Sequence, residues 1–162
     1  MKHDIISTAQ GHKGTLERLT EEFSAVKLIA PADRAATLKQ AAPKVRGLAH
    51  TGHSHVDAAL MDALPKLEII ANFGVGYDNI DATDAARRGI VVTNTPGVLD
   101  DEVADLAIGL LLATIRQIPQ ADRYVRQGRW PNGRFPLSPT LRGRRVGIVG
   151  MGQISQAIAR RL

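Results

Sequence analysis

The sequence contains no cysteine among its 162 residues. This absence excludes disulfide bonds, thiolate nucleophiles and thiolate metal ligands. Aromatic residues make up only 4% of the chain, and no stretch approaches the roughly 20 apolar residues that a membrane-spanning helix requires. The N-terminal residues also lack the apolar core of a signal peptide. Together these absences predict a cytoplasmic protein with no membrane partner.

Charge is not concentrated in any one part of the sequence. The net charge is +5, and the hydrophobic and charged fractions of 44% and 23% are typical of a globular protein. The basic residues fall in small groups with acidic residues between them, such as Arg87-Arg88 and Arg160-Arg161. A nucleic-acid-binding surface usually concentrates basic residues on one face and interleaves aromatic side chains. We therefore expect no nucleic-acid partner.

Short apolar segments alternate with amphipathic segments over the N-terminal part of the chain. The apolar segments have the length of strands and comprise residues 4–7, 26–30, 45–51, 67–73 and 90–94. Helical spacing of apolar residues between them indicates βα repetition, which builds parallel sheets. The segment 67–73 is almost wholly apolar, as in a strand covered by helices on both faces. These patterns predict an α/β fold with a flavodoxin-like parallel-sheet domain over residues 1–98.

Residues 99–143 are predicted to form linker helices and an irregular connection. Three acidic residues precede an apolar helical repeat that extends to about Arg116, and acidic residues favour a helix N-terminus. A break is predicted near Pro119, followed by a second helix over 120–127. Three prolines within residues 129–143 indicate the irregular connection. The remaining residues, 144–162, are predicted to begin a second domain with a strand over 145–149 and a helix from Gln153.

A glycine turn, Gly150-Met151-Gly152, stands between that predicted strand and helix. The first glycine allows a tight turn, and the second lets the backbone approach a pyrophosphate at the helix N-terminus. Ser155 occupies the position of the third glycine of the dinucleotide-binding pattern. The acidic residue that contacts the ribose is expected roughly 20 residues further on, which is after Leu162. A tight turn that binds no ligand therefore remains an alternative.

Three blocks of sequence, in this order and spacing, resemble the D-isomer-specific 2-hydroxyacid dehydrogenases. The blocks are Leu64–Asp81, Val92–Leu99 followed by Asp101–Asp105, and Leu141–Gly152. The resemblance covers essentially the whole chain and is nearest to the glyoxylate/hydroxypyruvate and hydroxyphenylpyruvate reductases. It implies a flavodoxin-like substrate domain followed by the first βα unit of an incomplete Rossmann domain. The implied reaction of the parent protein is the NAD(P)-dependent reduction of a small 2-keto acid to a D-2-hydroxy acid.

The resemblance also implies a substrate loop that begins at Phe73. Backbone N–H groups of Val75 and Gly76 would hold the substrate carboxylate, and Gly74 would keep side chains away from it. Glycines after a parallel strand suit this role, because successive N–H groups can face an anion there. A plain βα turn is the alternative for these glycines. His53, in the loop after the third strand, would shape the pocket.

The implied cofactor is NAD or NADP. Gly150, Gly152 and the backbone N–H groups of Gln153 and Ile154 would contact its pyrophosphate. Val103 stands where many members of the family carry a threonine that touches the cofactor, and valine cannot donate that hydrogen bond.

The resemblance assigns no catalytic residue to this chain. The arginine, glutamate and acid/base histidine of the family all follow the dinucleotide domain, after Leu162. We therefore expect an inactive N-terminal fragment. The cluster His50, His53 and His55 is not expected to bind a metal, because no acidic residue or cysteine stands at a matching spacing.

Two other functions are compatible with the predicted fold. The first is a non-catalytic interaction module, like the corepressors of the same family, that forms a homodimer through the apolar surfaces of residues 101–116 and 145–162. The second is a receiver-type domain. A receiver needs clustered aspartates at the end of its first strand, and only Asp4 lies near that position, which disfavours this alternative.

Overall fold

The computed structural model describes residues 4–8, 13–27, 34–52 and 54–162. These residues belong to two compact units, Met1–Pro96 and Gly97–Leu162. Among the described helices, none is long and apolar enough to cross a membrane.

The first unit is a parallel α/β sheet. Its strands are β1 (Asp4–Ser7), β2 (Ser24–Lys27), β3 (Val45–His50), β4 (Ile69–Asn72) and β5 (Val91–Thr93), and its helices are α1 (Lys13–Glu22), α2 (Arg34–Ala41), α3 (Ala58–Asp62) and α4 (Ala82–Arg87). All strand pairs are parallel, and the order is β2-β1-β3-β4-β5. This is the flavodoxin-like order, so the predicted fold class is confirmed. The predicted second strand begins two residues earlier than expected, and its residues 28–30 lie outside the described residues.

The core of this unit lies on one face of the sheet. Side chains alternate between the faces of a strand, so Ile6, Leu48 and Ile70 point the same way, and each is at most 1% exposed. Leu60, Met61 and Leu64 in and after α3 pack against them. Burial of a large aliphatic side chain contributes roughly 1.5–3 kcal/mol, so this layer stabilises the strands whose ends carry the polar residues described below.

Two aspartates begin the helices on the core side. Asp57 Oδ1 accepts a hydrogen bond from the Leu60 N–H of α3 at 2.9 Å, and Asp81 Oδ1 accepts one from the Asp84 N–H of α4 at 2.9 Å. A side-chain oxygen in this position satisfies a backbone donor that the helix leaves free. The preceding residues, Val56 and Ile80, form an isolated parallel bridge. The two chain segments that enter α3 and α4 are therefore held together.

The prediction that helices cover both faces of segment 67–73 is wrong for the residues that the structure describes. Ile69 is 40% exposed and Val91 is 56% exposed, and Ala71 and Thr93 are also exposed on the same face. The physical reason is that α1, the helix on this side, contacts β2 at the far edge of the sheet. No other described helix of this unit covers β4 and β5 there.

The second unit is helical. It contains α5 (Asp100–Ile115), α6 (Ile118–Arg126), a 3₁₀ turn (Trp130–Asn132) and α7 (Gln153–Ala159). Helices α5 and α7 pack closely, with Ala104 and Ala157 both at 0% exposure. Arg161 reinforces this contact through ion pairs to Asp101 at 3.0 Å and Asp105 at 2.5 Å. Small side chains at the contact and ion pairs at its edge therefore join the two helices.

Two predictions for this unit are corrected. The break between the helices lies at Arg116 and Gln117 and is not made by Pro119, which lies in the first turn of α6, where a helix does not need the missing N–H. The turn is made instead by Gln117, whose φ of 53° is left-handed. The strand predicted over 145–149 does not form, and Val149 is fully exposed there. A strand requires a hydrogen-bonded neighbour, and every described strand belongs to the sheet of the first unit.

The alternation in β4 leads to a stability prediction. Ile70→Val should lower the free energy of unfolding by about 1 kcal/mol, because it removes a methylene group from the fully buried face. Ile69→Val, the matched control on the exposed face, should change it by less than about 0.5 kcal/mol. Urea denaturation followed by circular dichroism measures both values. Equal effects would contradict the assignment of the two faces.

Candidate functional site

The carboxyl ends of β1, β3, β4 and β5 lie at one edge of the sheet because the strands are parallel. A cleft of about 280 Å³ lies at this edge, and its lining includes the strand-end residues Ser7, His50, Asn72 and Asn94. Open α/β sheets bind ligands at the carboxyl ends of their strands. The cleft therefore lies where parallel α/β sheets usually bind their ligands.

Asn72, the last residue of β4, holds the loop that follows it. Its side chain is buried, and Nδ2 donates to the carbonyl oxygens of Gly74 at 3.2 Å and Gly76 at 2.9 Å. Asn94, just after β5, donates from Nδ2 to the carbonyl oxygen of Val75 at 2.9 Å. Three successive carbonyl groups of the loop are thus bound by side-chain amides of two neighbouring strand ends.

The N–H groups of the same three residues have no acceptor among the residues that the structure describes. In the described parts of the chain, the backbone N–H groups of Gly74, Val75 and Gly76 make no hydrogen bond. Successive free backbone N–H groups form a concave site that favours an anion. The structure therefore brings together the three loop residues that the sequence predicts for carboxylate binding.

The glycines of this loop are not required by backbone conformation. Neither Gly74 nor Gly76 has a positive φ, and a Cβ at Gly74 would meet its nearest neighbour, Asn72 Nδ2, at 3.5 Å. At Gly76 the nearest atom, Asp78 Oδ2, would lie at 3.4 Å. Both are ordinary contact distances. The absence of a side chain thus leaves the surface of the loop open, and this explains the glycines better than their freedom to adopt a left-handed turn.

His50, the last residue of β3, is buried beside the loop, with 1% of its surface exposed. Its Nδ1 lies 2.9 Å from Thr8 Oγ1, and its Nε2 lies 2.9 Å from Asn79 Nδ2. Burial lowers the pKa of the His50 imidazole, because the charged form loses its hydration. The sequence alone places His50 only in a histidine cluster and gives no sign of these partners.

Asn72, Asn79 and Asn94 are also missed by the sequence analysis. A usable signal did exist for two of them, since Asn72 and Asn94 each end an apolar strand segment at equivalent positions. Polar side chains at the ends of parallel strands lie at one edge of the sheet. Their pairing with loop carbonyls, however, depends on the loop conformation and has no local sequence pattern.

The remaining predicted site residues are divided between the described and undescribed parts of the chain. His53 lies outside the described residues. In the second unit, Gly150 has a φ of +86°, and Gly152 stands directly before α7, which begins with Gln153 and Ile154. Val103 lies in α5 and is 40% exposed. Among the described residues, no group of three His, Asp or Glu side chains is placed to hold a metal ion.

Comparisons with known proteins identify the family. The model of the D-isomer specific 2-hydroxyacid dehydrogenase catalytic domain matches residues 5–160. A hydroxyphenylpyruvate reductase from Plectranthus scutellarioides is 49% identical over 120 residues, which are 74% of this chain and 38% of that protein.

Two solved structures are similar over 99% of this chain. One is a 2-hydroxyacid dehydrogenase from Ketogulonicigenium vulgare Y25, with a TM-score of 0.91, 38% identity and 51% of its own chain covered. The other is an NADPH-dependent glyoxylate/hydroxypyruvate reductase from Sinorhizobium meliloti, solved with NADP and malonate, with a TM-score of 0.81, 49% identity and 50% covered. The chain thus spans about half the length of these proteins or less. Because the family model matches nearly every residue, the chain belongs to the D-isomer-specific 2-hydroxyacid dehydrogenases, a family of oxidoreductases.

Proposed function

We propose that this chain supplies the carboxylate-binding part of a reductase that converts a small 2-keto acid to a D-2-hydroxy acid with NADH or NADPH. The substrates proposed are hydroxypyruvate, glyoxylate and hydroxyphenylpyruvate. The observation that carries the proposal is the loop after β4, where the N–H groups of Gly74, Val75 and Gly76 are free while their carbonyl groups are bound.

The chemistry of a 2-keto acid suits this loop. Its carboxylate is the one group that all members of the substrate class share, and the N–H groups of Val75 and Gly76 would bind its oxygens, with Gly74 beside them. Hydrogen bonds to an ionised acceptor are stronger than neutral ones. His53 would shape the pocket around the rest of the substrate. The exposed ring of Phe73 and the mainly apolar cleft suit a small carbon chain.

The glycine turn of the second unit is proposed to bind the cofactor pyrophosphate. Gly150 adopts a left-handed φ that favours glycine, and a Cβ at Gly152 would meet nothing within 4 Å, so a phosphate has room to approach. The N–H groups of Gln153 and Ile154 begin α7, where a helix leaves donors free, and Val103 would lie near the cofactor. The bound nicotinamide would supply the hydride that reduces the substrate carbonyl.

The domain organisation that goes with this proposal is a substrate domain over 1–98, a linker over 99–143 and the start of an NAD(P)-binding domain over 144–162. No described residue is assigned the acid/base role. A cytoplasmic location stays a prediction from the sequence.

Glyoxylate binding tests the proposed carboxylate site. Titration of the isotopically labelled chain at pH 7.5 should shift the backbone amide resonances of Gly74, Val75 and Gly76, while those of Gly128 and Gly133 stay in place. Asn94→Leu should weaken the affinity about three- to tenfold, the value of one hydrogen bond, because it releases the Val75 carbonyl group. Asn132→Leu is the exposed control and should leave the affinity unchanged. Equal shifts in all five amides, or none, would sink the proposal.

Turnover is predicted to be absent from the 162-residue chain. A positioned general acid contributes roughly 10² to 10⁴ in rate, and the chain carries no assigned one. Absorbance of NADH and NADPH, measured with hydroxypyruvate, glyoxylate and hydroxyphenylpyruvate, should not change above the background without protein. The similar Sinorhizobium meliloti reductase serves as the positive control. Oxidation of the coenzyme in proportion to the concentration of a 17.4 kDa species would contradict this expectation.

A second candidate function, an interaction module that forms homodimers, is favoured by the surface of α5. Val103, Leu106 and Leu110 are 40%, 62% and 58% exposed. Their spacing of three and four residues places them on one stripe of the helix. Asp101 and Asp105, which pair with Arg161 after α7, lie roughly on the opposite side. The apolar stripe is therefore not the side of α5 that contacts α7.

Sedimentation equilibrium at micromolar concentration tests the dimer. The unaltered chain should sediment at twice 17.4 kDa, and Leu106→Glu should give the monomer because a charge in an apolar interface is costly to bury. Val125→Glu, at a side chain of α6 that is 57% exposed, is the matched control and should leave the dimer intact. A monomeric unaltered chain would rule out this second function.

A further inference from the structure

His50 binds both ends of the loop that carries the free N–H groups. Its carbonyl oxygen accepts a hydrogen bond from the Phe73 N–H at 2.8 Å, at the start of the loop. Its ring Nε2 lies 2.9 Å from Asn79 Nδ2, at the end of the loop. The first contact is made by the backbone of His50 and persists when its side chain is replaced, whereas the second depends on the imidazole.

The partners of the ring fix the position of its proton. Asn79 Nδ2 also donates to the carbonyl oxygens of Gly52 and Ser54, both at 3.0 Å. This atom is therefore the amide nitrogen and not the oxygen, and its two hydrogens are shared among three acceptors. An amide nitrogen does not accept hydrogen bonds. Nε2 of His50 is therefore the acceptor, and the ring hydrogen resides on Nδ1, which donates to Thr8 Oγ1. Only a neutral imidazole satisfies both contacts.

The surroundings of the ring favour the neutral form. Its hydrogen-bond partners come from the end of β1 and from the loop after β4, and both are uncharged. The ionisable residues of the neighbouring loops are His55 and Asp78, which line a different cleft with Asn79, and His53, which lies outside the described residues. Within the described residues, no carboxylate is hydrogen-bonded to His50 that would stabilise its cation.

We propose that His50 is a positioning residue for the loop of residues 73–79, and that protonation of its Nε2 removes one of the contacts that hold Asn79 and weakens carboxylate binding. A protonated Nε2 would present a donor to the Asn79 NH₂ group, so the contact would become repulsive. Asn79 would then lose its contact with the imidazole but keep its hydrogen bonds to Gly52, Ser54 and Val56, so the end of the loop would be held by fewer contacts. This inference rests on the proposed function, because it assumes that the N–H groups of residues 74–76 bind the substrate carboxylate.

The direction of the pH effect follows from burial. Burial lowers the pKa of His50 below its ordinary value of about 6.5, so the neutral form dominates at neutral pH. Carboxylate binding is therefore strong at pH 7.5 and weakens as the pH falls through the lowered pKa of His50. A proton from solvent binds to Nε2, and no other covalent bond forms or breaks.

The first experiment uses the ligand-free chain. Proton and nitrogen NMR spectra between pH 7.5 and pH 5 should show the Asn79 side-chain amide and the Gly74 and Gly76 backbone amides shifting together with the His50 ring. In His50→Gln this transition should be absent from the loop amides, while in His55→Gln it should remain. Loop amides that do not follow the ring, or that still titrate in His50→Gln, would overturn the positioning role.

The second experiment measures the affinity for glyoxylate, which stays ionised over this range. At pH 7.5, His50→Leu should weaken binding about three- to tenfold, the value of one hydrogen bond. His50→Gln, whose Oε1 can still accept from Asn79, should stay within about twofold of the unaltered chain. Ile70→Val controls for lost stability and should bind normally. Equal loss in the leucine and glutamine variants would overturn the proposal.

The two experiments separate failure of this inference from failure of the proposed function. If the unaltered chain binds no glyoxylate at pH 7.5, the proposed function fails and the binding part of the inference fails with it. The ligand-free spectra then still decide whether His50 holds the loop. If glyoxylate binds but its affinity does not depend on residue 50 or on pH, the inference alone is overturned.

Discussion

Parallel pairing of the strands is the constraint on which the rest of the first unit depends. It places the last residues of β1, β3, β4 and β5 at one edge of the sheet, although long stretches of sequence separate them. His50, Asn72 and Asn94 become neighbours of one loop only for this reason. An antiparallel neighbour would carry its terminal residue to the opposite edge. The polar groups around the cleft are thus a consequence of topology as much as of residue type.

The proposed binding loop after β4 would hold an anion through backbone N–H groups, without charged side chains. The side-chain amides of Asn72 and Asn94 bind three carbonyl groups of the loop from the side of the sheet. The N–H groups of the same three residues make no hydrogen bond within the described parts of the chain. A free donor is tolerated where water reaches it, and an anion that replaces this water gains all of these donors at once. The carbonyl groups of the loop are therefore bound to the sheet side, and its N–H groups remain available to an anion.

The sequence predicts the parts of the structure that local patterns determine. Apolar segments of strand length, prolines and acidic helix starts predict the five described strands and the described α-helices, and the glycines after segment 67–73 point to the loop. What local patterns cannot predict are contacts between distant residues. His50 and Asn79 are 29 positions apart, and nothing near either one predicts their hydrogen bond. The strand expected over 145–149 fails for the same reason, since an apolar segment becomes a strand only beside a partner.

The two units differ in how much of the support for each proposed site comes from the unit itself. In the first unit, the loop, its amide supports and the core beneath them all belong to the same sheet, so the carboxylate site requires no further element for its shape. In the second unit, α7 packs on α5 and the glycine turn begins a helix, but no sheet fixes the direction of the turn. Pyrophosphate binding needs that direction, because free N–H groups must converge on one point. Carboxylate binding and cofactor binding should therefore be separable, and the first can persist where the second does not.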